Sequence, residues 1–387
     1  WKERERRPTR RFLLGVQRVA YYLLARVWRT FLFRTTFIGI TGSVGKTTCK
    51  EFLAAMLSVQ SPTIKTFGNQ NDFNGVPKTL LRVRPWHRFA VIEMGTGKKR
   101  LIDRSTRLVR PKIGIFLNVA RVHMDVFDTL DAITEEKAAL IRSLPEQGTA
   151  ILNADVERIA QLAGHCRSRV VTFGMDRDAH FKAVDISSRW PQRLSFTILY
   201  NGQTLPVRTQ LVGTHWVPSV LAAVAAAICC GASPESCATA ARTVPPFPAR
   251  LQPVRHPSGA ILLRDEYNGS IDSLYPALEV LRQARAKRRV LVFQGLSYMP
   301  IPSRERFRRV GALSATCADL VVFIGKASGS AGVSAALAAG MSEDAAIKLK
   351  DLRQASRYLK KHLRSGDLVL IRGKGRLLPR MVYEQFS

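Results

Sequence analysis

The stretch Gly39–Thr48 constrains this chain more than any other, because it is a glycine-rich loop that ends in Lys46 and Thr47. The apolar pair Phe37–Ile38 precedes it, and Cys49–Leu57 follows with helical spacing. In a strand–loop–helix unit, N–H groups at the helix start bind anions. Lys46 would reach the outer phosphates, and the Thr47 hydroxyl would bind Mg²⁺. We therefore predict a nucleoside triphosphate site at Gly42, Ser43, Val44, Gly45, Lys46, Thr47 and Thr48.

The loop departs from the strict phosphate-loop pattern at one position. Ile40 stands where that pattern has its first glycine. The alternative interpretation is an ordinary glycine-rich turn between a strand and a helix. A Gly-Lys-Thr-Thr sequence after a buried strand favours the phosphate-binding interpretation.

The net charge of +31 over 387 residues indicates a strongly positive surface. Such a surface favours anionic partners, namely nucleotides, phosphosugars, anionic lipids or nucleic acids. An arginine-rich background composition without any one acidic partner is the alternative. We expect no specific nucleic-acid partner, because the sequence has no recognisable RNA- or DNA-binding motif.

The six cysteines show neither a CxxC pair nor zinc-ligand spacing, so we expect no metal cluster. No secretory pattern is present, and reduced thiols fit a cytoplasmic protein. The chain begins at Trp1, and whether residues precede it stays open.

Residues 1–35 combine ten Lys or Arg with many apolar and aromatic side chains. The internal arginines disfavour a transmembrane helix. Two interpretations remain open. One is a basic helix lying on an anionic membrane surface, peripherally at the inner face. The other is a helix docked on the body of the protein with its arginines in solvent.

Two apolar runs, Phe89–Gly95 and Ile113–Val119, predict buried parallel strands. Polar residues end each run, Glu93 in the first and Asn118 in the second. Ligand-binding groups cluster at the carboxyl ends of such strands. We therefore expect Glu93 and Asn118 on the same sheet edge as Lys46.

Several motifs follow one another in a fixed order: Gly39–Thr48, Gly68–Pro77, Ile92–Gly95, Asn118–Asp125, Glu135–Lys137 and Leu144–Asp155. In this order they resemble the Mur ligases, the ATP-dependent amide ligases of peptidoglycan synthesis. Gly68–Pro77 and Ile92–Gly95 resemble the branch that adds D-alanyl-D-alanine. The resemblance covers residues 36–387 and does not extend to the family's N-terminal UDP-binding domain.

The resemblance implies an acyl phosphate made with ATP, which an amine then displaces. Thr47 and Glu93 would hold one Mg²⁺, and His123 would help hold a second. Lys137 matches a lysine that family members carbamylate, which would make it an anionic metal ligand. Lys46, His123 and Lys137 are the implied catalytic residues. Taken singly, Glu93 could be a strand-end carboxylate, His123 a structural histidine, and Lys137 part of a solvated helix face.

The resemblance also implies contacts with the other ligands. Asn69, Asn71, Asn74 and Lys374 would lie by the substrate, whereas Tyr267 and Asn268 would lie near the adenine with Asp265 holding their loop. Four places depart from the family pattern: Trp216, which stands where Asn is usual, Ser270–Ile271, Leu296–Pro300 and Arg376. The acidic residue that usually supports the nucleotide is missing from Leu296–Pro300.

We expect an α/β protein with three parts. Residues 1–35 form a short basic amphipathic helix, and residues 36–244 an ATP-binding domain with a mostly parallel, P-loop-type sheet. Residues 245–387 form a Rossmann-like αβ domain, after a proline-rich linker and with four strand-like runs at Ala260–Leu263, Val290–Phe293, Leu320–Ile324 and Leu368–Ile371.

The leading functional interpretation is an ATP- and Mg²⁺-dependent carboxylate–amine ligase. It would add D-Ala-D-Ala or a similar amine to a peptidoglycan-precursor acceptor, acting as a monomer on nucleotide and small peptidyl or amino-acid substrates. One alternative is a poly-γ-glutamate or folylpolyglutamate type of ligase. Another is a catalytically impaired nucleotide-binding scaffold associated with the membrane.

Overall fold

The computed structural model describes residues 8–120, 126–267, 269, 271–296 and 301–373. Contacts divide the chain into two compact units. Unit 1 comprises Trp1–Val184, Thr197–Val207 and Val217–Val244. Unit 2 comprises Asp185–Phe196, Arg208–Trp216 and Pro245–Ser387. Two short segments between residues 185 and 216 thus belong with the C-terminal part of the chain.

Unit 1 contains eight α-helices among its described residues: α1 Pro8–Phe31, α2 Lys46–Ser58, α3 Gly75–Arg82, α4 Leu101–Val109, α5 Leu130–Arg142, α6 Glu157–Ala160, α7 Val217–Cys229 and α8 Pro234–Thr243. Its first six strands are β1 Thr36–Thr41, β2 Thr63–Lys65, β3 Phe89–Glu93, β4 Ile113–Phe116, β5 Thr149–Asn153 and β6 Arg169–Gly174. Three more strands continue the same sheet and carry residues of both units: β7 Phe181–Ser187, β8 Ser195–Tyr200 and β9 Gln203–Arg208.

The strand order in this sheet is β2-β3-β1-β4-β5-β6-β7-β8-β9. All pairs from β2 to β7 are parallel. Strands β3 and β4 are buried throughout, as expected for a parallel sheet covered on both faces. The predicted strands at 89–95 and 113–119 are thereby confirmed, although both end earlier than their apolar runs. The sequence reasoning missed β7–β9.

Unit 2 contains four helices among its described residues: α9 Ile271–Gln283, α10 Ser303–Ser314, α11 Ala327–Ala338 and α12 Leu352–His362. Its strands are β10 Gln252–Arg255, β11 Ile261–Arg264, β12 Arg288–Phe293, β13 Leu320–Ile324, β14 Ala346–Leu349 and β15 Asp367–Arg372. They are ordered β10-β11-β15-β12-β13-β14, and only the β10–β11 pair is antiparallel. The four predicted runs are the strands β11, β12, β13 and β15, whereas β10 and β14 were missed.

Helix α1 packs on the rest of unit 1, where it contacts α3 and α4. Ala25 and, just beyond the helix, Leu32 are buried in the core that also contains β1 and β3. Trp28 Nε1 donates a hydrogen bond to the Val83 carbonyl over 2.9 Å. The inner face of the helix is therefore part of the folded body. No helix among the described residues is long and apolar enough to cross a membrane.

Candidate functional site

The glycine loop enters α2 through two backbone conformations that favour glycine. Gly42 has φ +152° and Gly45 has φ +82°, both outside the usual range for L-residues. A Cβ on Gly45 would lie 2.3 Å from Ser219 Oγ of α7. The loop therefore needs glycine at position 45 for both conformation and space. The first turn of α2 follows at once, and N–H groups there lack acceptors within the helix.

Asn118, just beyond β4, holds the shape of this loop. Its carbonyl accepts from the Ser43 N–H at 3.0 Å, and its Oδ1 accepts from the Val44 N–H at 2.9 Å. Its Nδ2 donates back to the Val44 carbonyl at 3.1 Å. The prediction that Asn118 lies on the same sheet edge as the loop is confirmed. Three hydrogen bonds join Asn118 to the loop. In this structure the Ser43 and Val44 N–H groups shape the loop.

Two lysine side chains meet at one backbone oxygen of the loop. Lys46 Nζ donates to the Gly42 carbonyl at 2.6 Å, and Lys137 Nζ of α5 donates to the same oxygen at 3.2 Å. Lys46 also donates to the Ser43 carbonyl at 3.2 Å. The sheet edge thus gathers two amines that are 91 positions apart in the sequence.

Lys137 is fully buried, and its Nζ also donates to Thr96 Oγ1 at 3.0 Å. Burial, together with the nearby charge of Lys46, lowers the pKa of Lys137 well below its ordinary value. The interpretation of Lys137 as part of a solvated helix face is therefore wrong. A buried lysine with a depressed pKa has a larger fraction of neutral, nucleophilic amine.

Glu93, at the end of β3, is the carboxylate at this edge and is only 1% exposed. Its Oε2 accepts from the Thr47 hydroxyl at 3.1 Å, and its Oε1 accepts from Asn71 Nδ2 at 2.7 Å. Lys50 Nζ lies 3.5 Å from Oε2 and is itself fully buried. The interpretation of Glu93 as a surface carboxylate is thus wrong, because hydrogen bonds and an ion pair hold it inside.

Thr47 and Glu93 together fit a hard divalent cation, because both offer oxygen donors and Mg²⁺ prefers oxygen ligands. Thr48 Oγ1 is buried without a hydrogen-bond partner among the described atoms. No group of three or more His, Cys, Asp or Glu side chains in the described part of the chain could hold a metal ion. A complete metal site would therefore need further ligands, such as a modified lysine or phosphate oxygens.

The asparagine-rich loop after β2 has three different environments for its predicted substrate residues. Asn71 donates the hydrogen bond from its Nδ2 to Glu93 Oε1. Asn69 is exposed, and its carbonyl accepts from the Asn71 N–H at 2.8 Å. Asn74 lines a cavity beside α1, where Asp72 Oδ1 accepts from its N–H at 3.1 Å. Asn71 therefore orients the carboxylate in this structure.

In unit 2, Asp265 forms a buried ion pair with Arg372 at the end of β15. Asp265 Oδ1 also accepts from the Leu251 N–H at 3.2 Å, and Arg372 Nη2 donates to Ser273 Oγ at 2.5 Å. Burial lowers the pKa of Arg372 to about 9. Asp265 therefore ties the loop after β11 to the neighbouring strand β15.

Tyr267 follows in this loop, and the Arg250 guanidinium lies 4.2 Å from its ring centroid. The Tyr267 N–H donates to the Ala249 carbonyl at 3.0 Å. His215 is half-buried in unit 2, where its partial burial and the charge of Arg372 lower its pKa to about 3. His215 is therefore a neutral structural histidine at neutral pH.

Three predicted site residues lie outside the described residues: His123, Asn268 and Lys374. The same holds for Ser270 and Arg376, and for residues 297–300 of the atypical segment. Leu296, which begins that segment, is buried, and its carbonyl accepts from Arg306 Nη1 at 2.5 Å.

Sequence reasoning missed Lys50, Thr96 and Arg372. Lys50 lies one helical turn after Lys46, so helical periodicity could have placed it on the same face. Thr96 follows the strand-end Glu93 by three residues, within the same loop. Arg372 gave no signal of its own, because its partner Asp265 is 107 positions away.

Comparisons with known proteins identify a family for this chain. The family model described as Mur ligase middle domain matches residues 40–227, and the one described as Mur ligase, glutamate ligase domain matches residues 249–375. The UDP-N-acetylmuramoyl-tripeptide--D-alanyl-D-alanine ligase of Synechocystis is 32% identical over 302 residues, covering 78% of this chain and 64% of that protein. The ligase of the same name from Escherichia coli is 32% identical and covers 75% of this chain and 65% of that protein.

Among solved structures, crystal structure II of MurF from Acinetobacter baumannii has a TM-score of 0.83 and 26% identity. The aligned region covers 94% of this chain and 79% of the MurF chain. This chain thus spans about two thirds of the length of its curated relatives. Two Mur ligase family models match the chain in sequence order. The two curated relatives are 32% identical to it, and its fold is shared with MurF. The chain therefore belongs to the Mur ligase family.

Proposed function

We propose that this chain is an ATP-dependent ligase that joins a carboxylate to an amine. Its acceptor would resemble UDP-N-acetylmuramoyl-tripeptide and its amine would be D-Ala-D-Ala, as in the names of its relatives. One observation carries the proposal. The glycine loop, Glu93, Lys46 and Lys137 converge on one sheet edge, where a triphosphate and a carboxylate could react.

The residues at this edge suit phosphoryl transfer. A carboxylate oxygen of the acceptor would attack the γ-phosphorus, and ADP would leave with the electrons of the broken P–O bond. The amine would then attack the acyl carbon, and inorganic phosphate would leave. Lys46 and the residues of the loop would offset the phosphate charge. Bound Mg²⁺, we propose two ions, would neutralise the charge that develops on phosphate oxygens.

Lys137 would contribute as a carbamate. A neutral amine attacks CO₂, so the N–C bond forms while one proton is released. The product is an anion where an ammonium would repel both Lys46 and a metal ion. The carbamate would provide the anionic oxygens that the described residues lack beside Thr47 and Glu93. We also keep His123 as a proposed ligand of the second metal ion.

In the C-terminal part of the chain, we propose that Tyr267 and Asn268 contact the adenine. The Asp265–Arg372 ion pair would fix the start of their loop. Lys374 would lie by the substrate. We likewise propose that the functional division follows residues 36–244 and 245–387, and that the protein acts as a monomer.

The decisive experiment measures ADP formation with the acceptor and a panel of amines. Release of ADP that requires both UDP-N-acetylmuramoyl-tripeptide and D-Ala-D-Ala supports the proposal. Equal rates with L-Glu and a folate or polyglutamate acceptor would instead identify the related ligase type. ATP binding without turnover by any acceptor pair would identify a nucleotide-binding scaffold.

We also propose that α1 attaches the protein to an anionic membrane surface. Its outward face carries a stripe of large apolar side chains that are between 53% and 60% exposed: Val19, Leu23, Leu24, Val27 and Phe31. These residues repeat at helical spacing and lie opposite the buried Ala25 and Leu32. Both faces of the described part of the helix thus carry apolar side chains, and the other described residues of unit 1 cover one of these faces.

Aromatic and cationic side chains surround the end of this stripe. Phe33 is 77% exposed and Trp86 is 69% exposed. Arg88 donates to the Arg34 carbonyl at 3.4 Å, so the loop after α3 lies beside the end of α1. Exposed arginines in this region include Arg26, Arg34, Arg84 and Arg88. Each would gain about 1 kcal/mol near an anionic bilayer, and aromatic rings suit its interface.

Sedimentation with vesicles tests this proposal. Phosphatidylglycerol-containing vesicles should bind the protein in a salt-sensitive manner, and phosphatidylcholine vesicles should bind it much less. The double variant Leu23→Ser/Val27→Ser should lose binding, whereas Val59→Ser, at an equally exposed valine after α2, should keep it. If the double variant instead dissociates a dimer and leaves vesicle binding unchanged, the apolar stripe on α1 is an interface between two copies of the protein.

A further inference from the structure

A cavity of about 510 Å³ lies between α1 and the loop that leads into α4. This volume falls within the range of small-molecule sites, about 300–1,000 Å³. Four cationic side chains line it: Arg18, Lys98, Lys99 and Arg104. Phe73 and Leu101 add apolar surface, and Asp72 is the single acidic residue of the lining.

The positive charge of this cavity is not neutralised within the described part of the chain. None of the four cations forms an ion pair there with a described carboxylate. Asp72 is already engaged, because its Oδ1 accepts from the N–H groups of Asn74 at 3.1 Å and Gly75 at 2.7 Å. Four cations around one cavity repel one another, and an anionic ligand would relieve that repulsion.

The cavity also borders the candidate catalytic edge. Its wall residue Gly97 follows Thr96, which accepts the hydrogen bond from Lys137. Its wall residues Asp72 and Asn74 belong to the loop of Asn71, which holds Glu93. The loop that contains Asn71 and the loop that contains Thr96 therefore each extend from the candidate catalytic edge to the cavity. An extended ligand could react at the edge while its far end occupies the cavity.

We propose that this cavity binds phosphate groups of the acceptor, with α1 contributing Arg18. The inference rests on the proposed function, in which the acceptor carries both a reacting carboxylate and a diphosphate. Two lysines, two arginines and an apolar floor suit a diphosphate with its attached groups better than an isolated carboxylate. In this way α1 becomes part of the acceptor site.

Calorimetric titration of inorganic pyrophosphate into the ADP-saturated protein tests the site, because ADP occupies the glycine loop. The wild-type protein should bind pyrophosphate, and Lys98→Ala/Lys99→Ala should weaken that binding at least about tenfold. Arg18→Gln and Arg104→Gln should each weaken it as well. Arg167→Gln, which removes an exposed charge before β6, is the matched control and should change nothing.

Kinetics separates a binding role from a structural one. In Lys98→Ala/Lys99→Ala the KM for the acceptor should rise about tenfold, while kcat and the KM for ATP stay within about twofold. Equal pyrophosphate affinity in wild type and double variant would overturn the proposal. So would lysine-dependent binding of phosphatidylglycerol vesicles without any binding of pyrophosphate, because the phosphate would then belong to lipid. Failure of every acceptor to support ADP formation would count against the ligase, and pyrophosphate binding would still report on the cavity.

Discussion

The hydroxyl of Thr47 lies 3.1 Å from Oε2 of Glu93, so the first turn of α2 is joined to the end of β3. The two residues are 46 positions apart, and the parallel pairing of β1 with β3 brings them together. Both oxygens are suited to one divalent cation. This pair is therefore the natural target for mutations that probe metal binding.

Replacing Thr47 with valine should reduce turnover at least about a hundredfold, because the hydroxyl is lost while the shape is kept. Thr47→Ser, which keeps the hydroxyl, should retain most activity. The measurement is ADP formation across a Mg²⁺ titration, in which Thr47→Val should need more Mg²⁺. Equal Mg²⁺ dependence in both variants would remove Thr47 from the metal site.

Lys50 should be essential for stability, because it is the buried cation beside Glu93. Lys50→Met leaves that carboxylate without its charge partner and should cost about 3 kcal/mol of the free energy of unfolding. Lys65→Met removes one partner of the more exposed Lys65–Glu51 pair and should cost less than about 1 kcal/mol. Urea unfolding measures both values. Adding Glu93→Gln to Lys50→Met should recover part of the loss, and a purely additive double variant would contradict the coupling.

The glycine at position 45 should not tolerate even alanine. Gly45→Ala combines a left-handed φ with a Cβ that would approach Ser219 Oγ to 2.3 Å. We expect loss of ATP binding, measured by calorimetry, and destabilisation of about 1–3 kcal/mol. Gly164→Ala is the control, since a Cβ there would meet nothing within 4 Å. Normal ATP affinity in Gly45→Ala would show that the loop does not bind phosphate in this conformation.

Lys137→Ala should be nearly inactive, and short-chain carboxylates should partly restore its activity by taking the place of the carbamate that we propose. Lys137→Arg keeps a cation but cannot form the carbamate, and it should be inactive without rescue. Wild-type protein in ¹³C-bicarbonate should show a carbamate carbonyl signal that Lys137→Ala lacks. Full activity of Lys137→Ala would exclude the carbamate from the mechanism.

The half-buried His215 should make unfolding of the protein sensitive to mild acid. Its folded pKa of about 3 lies below the ordinary value of 6.5, so the unfolded state binds the additional proton between these pH values. Its contribution to the free energy of unfolding is intact above pH 6.5 and falls by about 1.4 kcal/mol per pH unit below it. Urea unfolding at pH 7 and pH 5 should show a smaller decrease in His215→Gln than in wild type. Equal decreases in the two proteins would contradict a neutral His215 in the folded state.

The sequence predicted the parts of the fold that depend on local pattern. The strands at Phe89 and Ile113 were predictable because buried parallel strands are continuous apolar runs. Strand β14 was missed because its four residues include the exposed Lys348. The pairing of Lys137 with Thr96, and of Arg372 with Asp265, depends on tertiary packing that no local pattern encodes.

The attachment of α1 to unit 1 has a consequence for any membrane contact. Arg29 Nε donates to the Val109 carbonyl at 2.7 Å, and its guanidinium lies 4.0 Å from the Phe37 ring centroid. The end of α1 is therefore fastened to the strand that leads into the glycine loop. A membrane anchor on a flexible linker would let the protein rotate freely at the bilayer. Because α1 is fixed to the rest of unit 1, it would instead hold that unit at one angle to the bilayer. Every membrane-bound copy of the protein would then have its glycine loop in the same orientation relative to the bilayer plane.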